Sequence, residues 1–147
     1  MASPAPISPL PRDPRRWIYG YLDLGFALFY AVAIWKVIPN RLPSAAIHLW
    51  TIPATMAMMG AGTLLGGPRG WRIAILGGSL LLVSTFVMIV RIVISAAFLA
   101  GVYGAFGQAA ATFAMVAILL VVELVALLPI FQVRFLMSRR GRRVYGA

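Results

Sequence analysis

Between Arg72 and Arg134 only two residues are charged, Arg91 and Glu123, and most of what surrounds them is apolar or small. Each lies 16 positions from Gly107 (107 − 91 and 123 − 107), in a turn region marked by Gly101, Gly104 and Gly107. If the two flanking stretches are helices folded back on one another there, the charges meet at one depth. Opposite charges in apolar surroundings are costly apart and tolerable together. The spacing therefore predicts an antiparallel hairpin carrying an intramembrane Arg91–Glu123 pair, read either as a structural register lock or as a proton, ion or anion site. A third reading measures Arg91 from Trp71: it stands about 30 Å up a helix and can snorkel to the outer interface.

Composition fixes the solvent. The 147 residues are enough for one domain, 62% of them are hydrophobic and 11% charged, and mean hydropathy is +0.94. Ordinary soluble domains carry roughly 25% charged residues, and a short chain has too much surface to hide this many apolar side chains in water. Membrane insertion resolves the conflict. The absence of cysteine excludes disulfides, thiol catalysis, iron–sulfur ligation and thioether-linked haem.

Four apolar blocks follow, at about 17–38, 44–65, 71–103 and 108–137. Each supplies the roughly 20 residues that span a bilayer. Lipid leaves backbone groups no partner but their own chain, and strand-like alternation is missing, so helices are expected. Residues 1–16, with Pro4, Pro6, Pro9, Pro11 and Pro14, read as a disordered Pro-rich arm rather than a signal peptide. Residues 138–147 read as a basic tail. The fold class expected is an all-α membrane protein, a four-transmembrane-helix bundle. Its third and fourth helices are long. From Trp71 to Gly107 is about 54 Å of helix, more than a bilayer with its headgroups, so this hairpin must tilt, break near a glycine, or project.

Basic residues set the orientation. For four spans, one side collects Arg12, Arg15, Arg16, Arg69, Arg72, Arg134, Arg139, Arg140, Arg142 and Arg143, and the other only Lys36 and Arg41. That bias puts both termini in the cytoplasm. Trp17 and Trp71 then fall at the inner interface and Trp35 and Trp50 at the outer one, as aromatic belts do.

Other polar residues are few. Tyr19, Asp23, Phe26 and Tyr30 share one face of the first helix, a possible polar site or proton relay. The plainer alternative pairs Asp23 with Arg15, Arg16 or Arg72 near a helix N-terminus. His48 is the single histidine, so neither a metal nor a haem is expected, and no cofactor. Gly60-Ala61-Gly62, beside Met56, Met58 and Met59, reads as a close-packing surface with adaptable filler, a ligand groove being the alternative. Arg139, Arg140, Arg142 and Arg143 suit anionic headgroups. Nucleic acid is not expected, since stacking aromatics are not interleaved with these arginines.

No hydrolytic triad, metal-protease motif or phosphate loop is present, so the expectation leans away from an enzyme. The leading reading is a small non-catalytic accessory or scaffold subunit of an inner-membrane assembly. It would contact lipid and either another membrane protein or its own copy. The alternatives are a small transporter or proton- and ion-handling protein using Arg91 and Glu123, and, more weakly, a membrane-embedded enzyme acting on a lipid-like substrate.

Overall fold

A computed structural model describes residues 14–37 and 43–147. All regular structure among them is helical: α1 Pro14–Val37, α2 Pro43–Leu65, α3 Gly67–Val102, α4 Gly104–Val121, a π-helical segment Val122–Ala126, α5 Leu127–Met137 and α6 Arg139–Tyr145. Two helices are long and apolar enough to cross a membrane, Pro14–Lys36 and Gly67–Val102. The first thirteen residues of the proline-rich arm, and the Pro39-Asn40-Arg41 turn, lie outside the described residues. Pro14, Arg15 and Arg16, assigned above to the arm, instead form the first turn of α1, where proline's fixed φ suits a helix start.

Prolines and glycines set the boundaries. A single residue, Gly66, separates α2 from α3, and Gly66 and Gly67 both adopt positive φ (66° and 65°), a conformation glycine takes without Cβ strain. α3 then runs unbroken for 36 residues, about 54 Å, so a break at Gly77, Gly78 or Gly101 is not how this overlong segment is accommodated. α3 gives way to α4 at Tyr103-Gly104, with Gly104 at φ 54°. Pro129 explains the π segment just before it. It cannot donate to the Val125 carbonyl, and its ring crowds that group; the widened turn over Val122–Ala126 relieves both.

α1, α2 and α3 pack closely at one end. A Cβ on Gly62 would lie 2.8 Å from the Gly70 carbonyl oxygen, and one on Gly77 2.7 Å from the Met59 nitrogen. α2 and α3 thus touch backbone to backbone, as small residues allow in apolar bundles. α1 joins through Gly60, whose missing Cβ would stand 2.9 Å from Asp23 Cβ and 3.0 Å from the Gly20 oxygen. Ala27, Ile52, Met56, Leu81 and Val125 form the central cluster, with Met56 and Met59 fully buried. The glycine–methionine segment of α2 is therefore filled core and not a groove.

The opposite end is open. Beyond Thr85 the buried residue of α3 is Ala96, while Phe98, Phe106 and Phe113 are largely exposed (66%, 79% and 77%).

α6 was not expected as a helix. Ser138 caps it, its Oγ accepting from the Gly141 nitrogen at 3.0 Å, and Gly146 closes it in the left-handed region. Gly141 and Tyr145 are buried, while Arg139, Arg140, Arg142 and Arg143 are exposed, so the basic segment is amphipathic and docked. The Tyr145 hydroxyl lies 3.5 Å from the Thr63 carbonyl oxygen.

Candidate functional site

Five polar side chains are buried among the described residues: Asp23, Thr55, Thr63, Thr85 and Gln132. The threonines are satisfied within their own helices. Thr55 Oγ1 donates to the Thr51 oxygen at 2.8 Å, Thr63 Oγ1 to Met59 at 2.9 Å and Thr85 Oγ1 to Leu81 at 2.9 Å. Hydroxyls that bond back to the preceding turn are spent locally. That leaves Asp23 and Gln132, which bond each other across 109 positions: Gln132 Nε2 donates to Asp23 Oδ2 at 3.0 Å.

The scaffold around this pair is built by α1, α2, α3 and α5. Gly60 of α2 lets α1 approach until Asp23 is 0% exposed. Tyr19 of α1 lies against Phe135 of α5, ring centroids 6.5 Å apart. Trp71 Nε1 of α3 donates to the Leu136 carbonyl at 2.8 Å, fixing α5 from the other side. Asp23 Oδ1 and Gln132 Oε1 are buried with no hydrogen-bond partner. Both are acceptors, so only a donor or a cation can complete the pair: a proton on the carboxyl, a water, or a small cation. An uncompensated buried acceptor costs about 1–3 kcal/mol, and more when charged.

Asp23 is thus not in a surface layer with arginines. Arg16 turns elsewhere, its Nη2 donating to the Leu64 carbonyl at 2.8 Å and its guanidinium lying 5.4 Å from the Trp17 ring centre. The face predicted for Tyr19, Asp23, Phe26 and Tyr30 does point inward: Asp23 is buried and the three aromatics are half-buried, with Phe26 and Tyr30 packed on the central cluster. Sequence reasoning passed over Gln132, a carboxamide in an otherwise apolar stretch between Glu123 and Arg134. It also passed over the inward role of Trp71 and Tyr145.

Arg91 and Glu123 are not brought together. Both are exposed, and among the described residues no ion pair joins them. The turn position is the reason. It falls at Tyr103-Gly104, and Gly107 packs on the Leu99 carbonyl and Ala100. With Arg91 sharing a cavity wall with Ala114, Glu123 falls about eight residues, or 12 Å, further along the later helices. Glu123 sits instead in the π segment, a kind of helix defect frequent at functional sites.

Arg91 opens on a cavity of about 320 Å³ between α2, α3 and α4, lined among others by His48, Met88, Ile92, Ser95 and Ala114. His48 is exposed at its α2 wall. Among the described residues no group of three His, Cys, Asp or Glu side chains could hold a metal ion. Compared with protein-family models, with curated proteins and with solved structures, the chain matches none.

Proposed function

We propose that this chain is a four-span protein of the inner membrane, with both termini cytoplasmic, serving as a non-catalytic accessory or scaffold subunit of a larger membrane assembly. The observation that carries this reading is the phenylalanine-rich end of α3 and α4. Phe98, on the overlong α3, and Phe106 and Phe113, on α4, stand out from the bundle, and an apolar surface of this kind marks an interaction site or a lipid contact. Glu123, exposed and without an internal partner among the described residues, adds a lone acid in the π segment that follows α4, and intramembrane acids pair or line a pathway.

Two observations support the topology. Gly107 contacts Leu99–Ala100 while Val133 contacts Gly78, so partners descend α3 as the later helices ascend, the pattern of an antiparallel hairpin. Arg16, the Gly66 turn, Trp71 and α6 also gather at one end through the Arg16–Leu64, Trp71–Leu136 and Tyr145–Thr63 bonds, which suits a single cytoplasmic face rich in arginine.

Photo-crosslinking tests the reading. A photoreactive residue placed at Phe113 or Phe106, in cells, should capture one recurring membrane protein or a second copy of this chain, and mild-detergent purification should retain it stoichiometrically. Adducts with lipid alone, together with a solitary purified chain, would sink the subunit role.

A second reading has its own observation. The two unpartnered oxygens of Asp23 and Gln132 suit a proton- or ion-handling protein, with Asp23 rather than the Arg91–Glu123 pair at its centre. Proton uptake by reconstituted vesicles that vanishes in Asp23→Asn is the expected outcome for that reading.

A further inference from the structure

We propose that the cavity between α2, α3 and α4 binds an acyl chain bearing an anionic head, a phosphate or a carboxylate, with the Arg91 guanidinium as its counter-charge. The inference rests on the membrane reading above and adds a ligand to it. The cavity, about 320 Å³, falls at the low end of the roughly 300–1,000 Å³ typical of small-molecule sites. Among the described residues its walls are apolar except for Arg91, Ser95 and His48, and no carboxylate lines it. Among the described residues Arg91 has neither a hydrogen bond nor an ion pair, so its charge is uncommitted. Ser95 follows one helical turn later and adds a hydroxyl on the same face.

The sequence explains why space opens here. The stripe that seats α3 on α2 is Gly70, Ala74 and Gly77, and no glycine occurs between Gly78 and Gly101. Past that point larger side chains hold the helices apart, and Met88 and Ile92 flank a gap in place of a backbone contact. A planar guanidinium recognises phosphate and carboxylate in two-pronged fashion, while the apolar walls suit a hydrocarbon tail. A neutral ligand would leave Arg91 unpaired, and a headgroup without a tail would leave the walls unfilled.

Native mass spectrometry of the full chain in mild detergent tests this with three probes: dioleoyl phosphatidylglycerol, dioleoyl phosphatidylcholine and oleate. Phosphatidylglycerol, oleate or both should be retained in preference to phosphatidylcholine, and the stronger of the two identifies the head as phosphate or carboxylate. Arg91→Gln should weaken that binding about tenfold or more, as loss of a charged contact does. Arg91→Lys should weaken it but keep the preference for charged over zwitterionic lipid, because an ammonium supplies the charge without the two-pronged geometry, and Ala114→Phe should abolish it by filling the cavity. All comparisons are made in an Arg139→Gln/Arg140→Gln background, which removes two exposed headgroup contacts of α6 from the readout. Equal binding of charged and zwitterionic lipid, or equal binding by the native chain, Arg91→Gln and Ala114→Phe, overturns the site. If Arg91→Gln does not fold, the contrast between Arg91→Lys and Ala114→Phe decides alone. Alkaline extraction of membranes keeps the two failures apart. A chain released to the supernatant refutes the membrane reading, whereas one retained with Arg91-independent lipid binding refutes only the cavity.

Discussion

The two ends of this molecule use the same helices in opposite ways. Where α1, α2, α3 and α5 converge, glycines bring backbones into contact, and Asp23, Met56, Met59 and Leu81 are fully enclosed. Between Gly78 and Gly101 α3 has no glycine, Phe98, Phe106 and Phe113 face outward, and a cavity takes the place of a seam. Both ends are apolar in sequence. What differs is side-chain size along the facing stripe, and in a bundle without a hydrophobic drive between helices, close approach depends on small residues. The glycine end is therefore where the chain stabilises itself, and the phenylalanine end is where it has surface left for something else.

The sharpest way to break this contrast is to strip the buried pair. Gln132→Leu leaves the Asp23 carboxyl with neither oxygen satisfied, at a cost of about 3 kcal/mol, read as a lower unfolding midpoint in detergent micelles. The double variant Asp23→Leu/Gln132→Leu should recover most of that loss, because two apolar groups replace two polar ones. A double variant no more stable than the single one would mean the pair does not hold α1 to α5.

Gly77→Val comes next. The new side chain would meet the α2 backbone at Met59 and Thr55, and backbone cannot rotate away. Overpacking costs typically 1–3 kcal/mol, so a loss of about 2 kcal/mol is expected. Gly101→Ala is its counterpart at the open end, where a Cβ meets nothing within 4 Å. Alanine is the better helix former by up to about 1 kcal/mol, so this variant should gain stability. Two glycines of one helix then respond with opposite signs, and equal responses would erase the distinction between the ends. Between them in size is Trp71→Phe, which removes the indole donor to the Leu136 carbonyl and should cost about 1 kcal/mol, again at the glycine end.

How much of this could be read from the residues depends on the scale of the pattern. Helicity followed from apolar runs too long and too uniform for strands. The close-packing role of Gly60 and Gly62 followed from their spacing beside a methionine cluster. The exact turn did not follow, because Gly101, Gly104 and Gly107 offer the chain three similar places to reverse. The choice falls to packing, where Gly107 is needed bare against the Leu99 carbonyl and Gly104 takes the positive φ. The partner of Asp23 was out of reach for another reason. Depth along a helix can be counted from sequence, and that count put Asp23 beside arginines, but which face it shares with Gln132 depends on how α5 leans on α1. The amphipathic α6 was masked by its own charge: a run of arginines suggests a tail until Gly141 and Tyr145 are noticed four residues apart on one face.

Glu123 gives the smallest expected effect and the most direct test of what the sequence suggested. A buried Arg91–Glu123 lock would make neutralisation of either partner cost several kcal/mol, since the other charge would be left stranded. In the structure the turn at Tyr103-Gly104 sets the two about 12 Å out of register and both side chains reach the surface. Glu123→Gln should therefore shift the stability of the isolated chain by no more than about 0.5 kcal/mol, as exposed substitutions do, and Arg91→Gln should add its own small effect independently. A double-mutant cycle in micelles measures the coupling. A coupling energy near zero places Glu123 on the open end, available to a partner through its π segment. A coupling above about 1 kcal/mol would pull that helix pair back into register, and the contrast between a self-sufficient glycine end and an unfinished phenylalanine end would lose its clearest boundary.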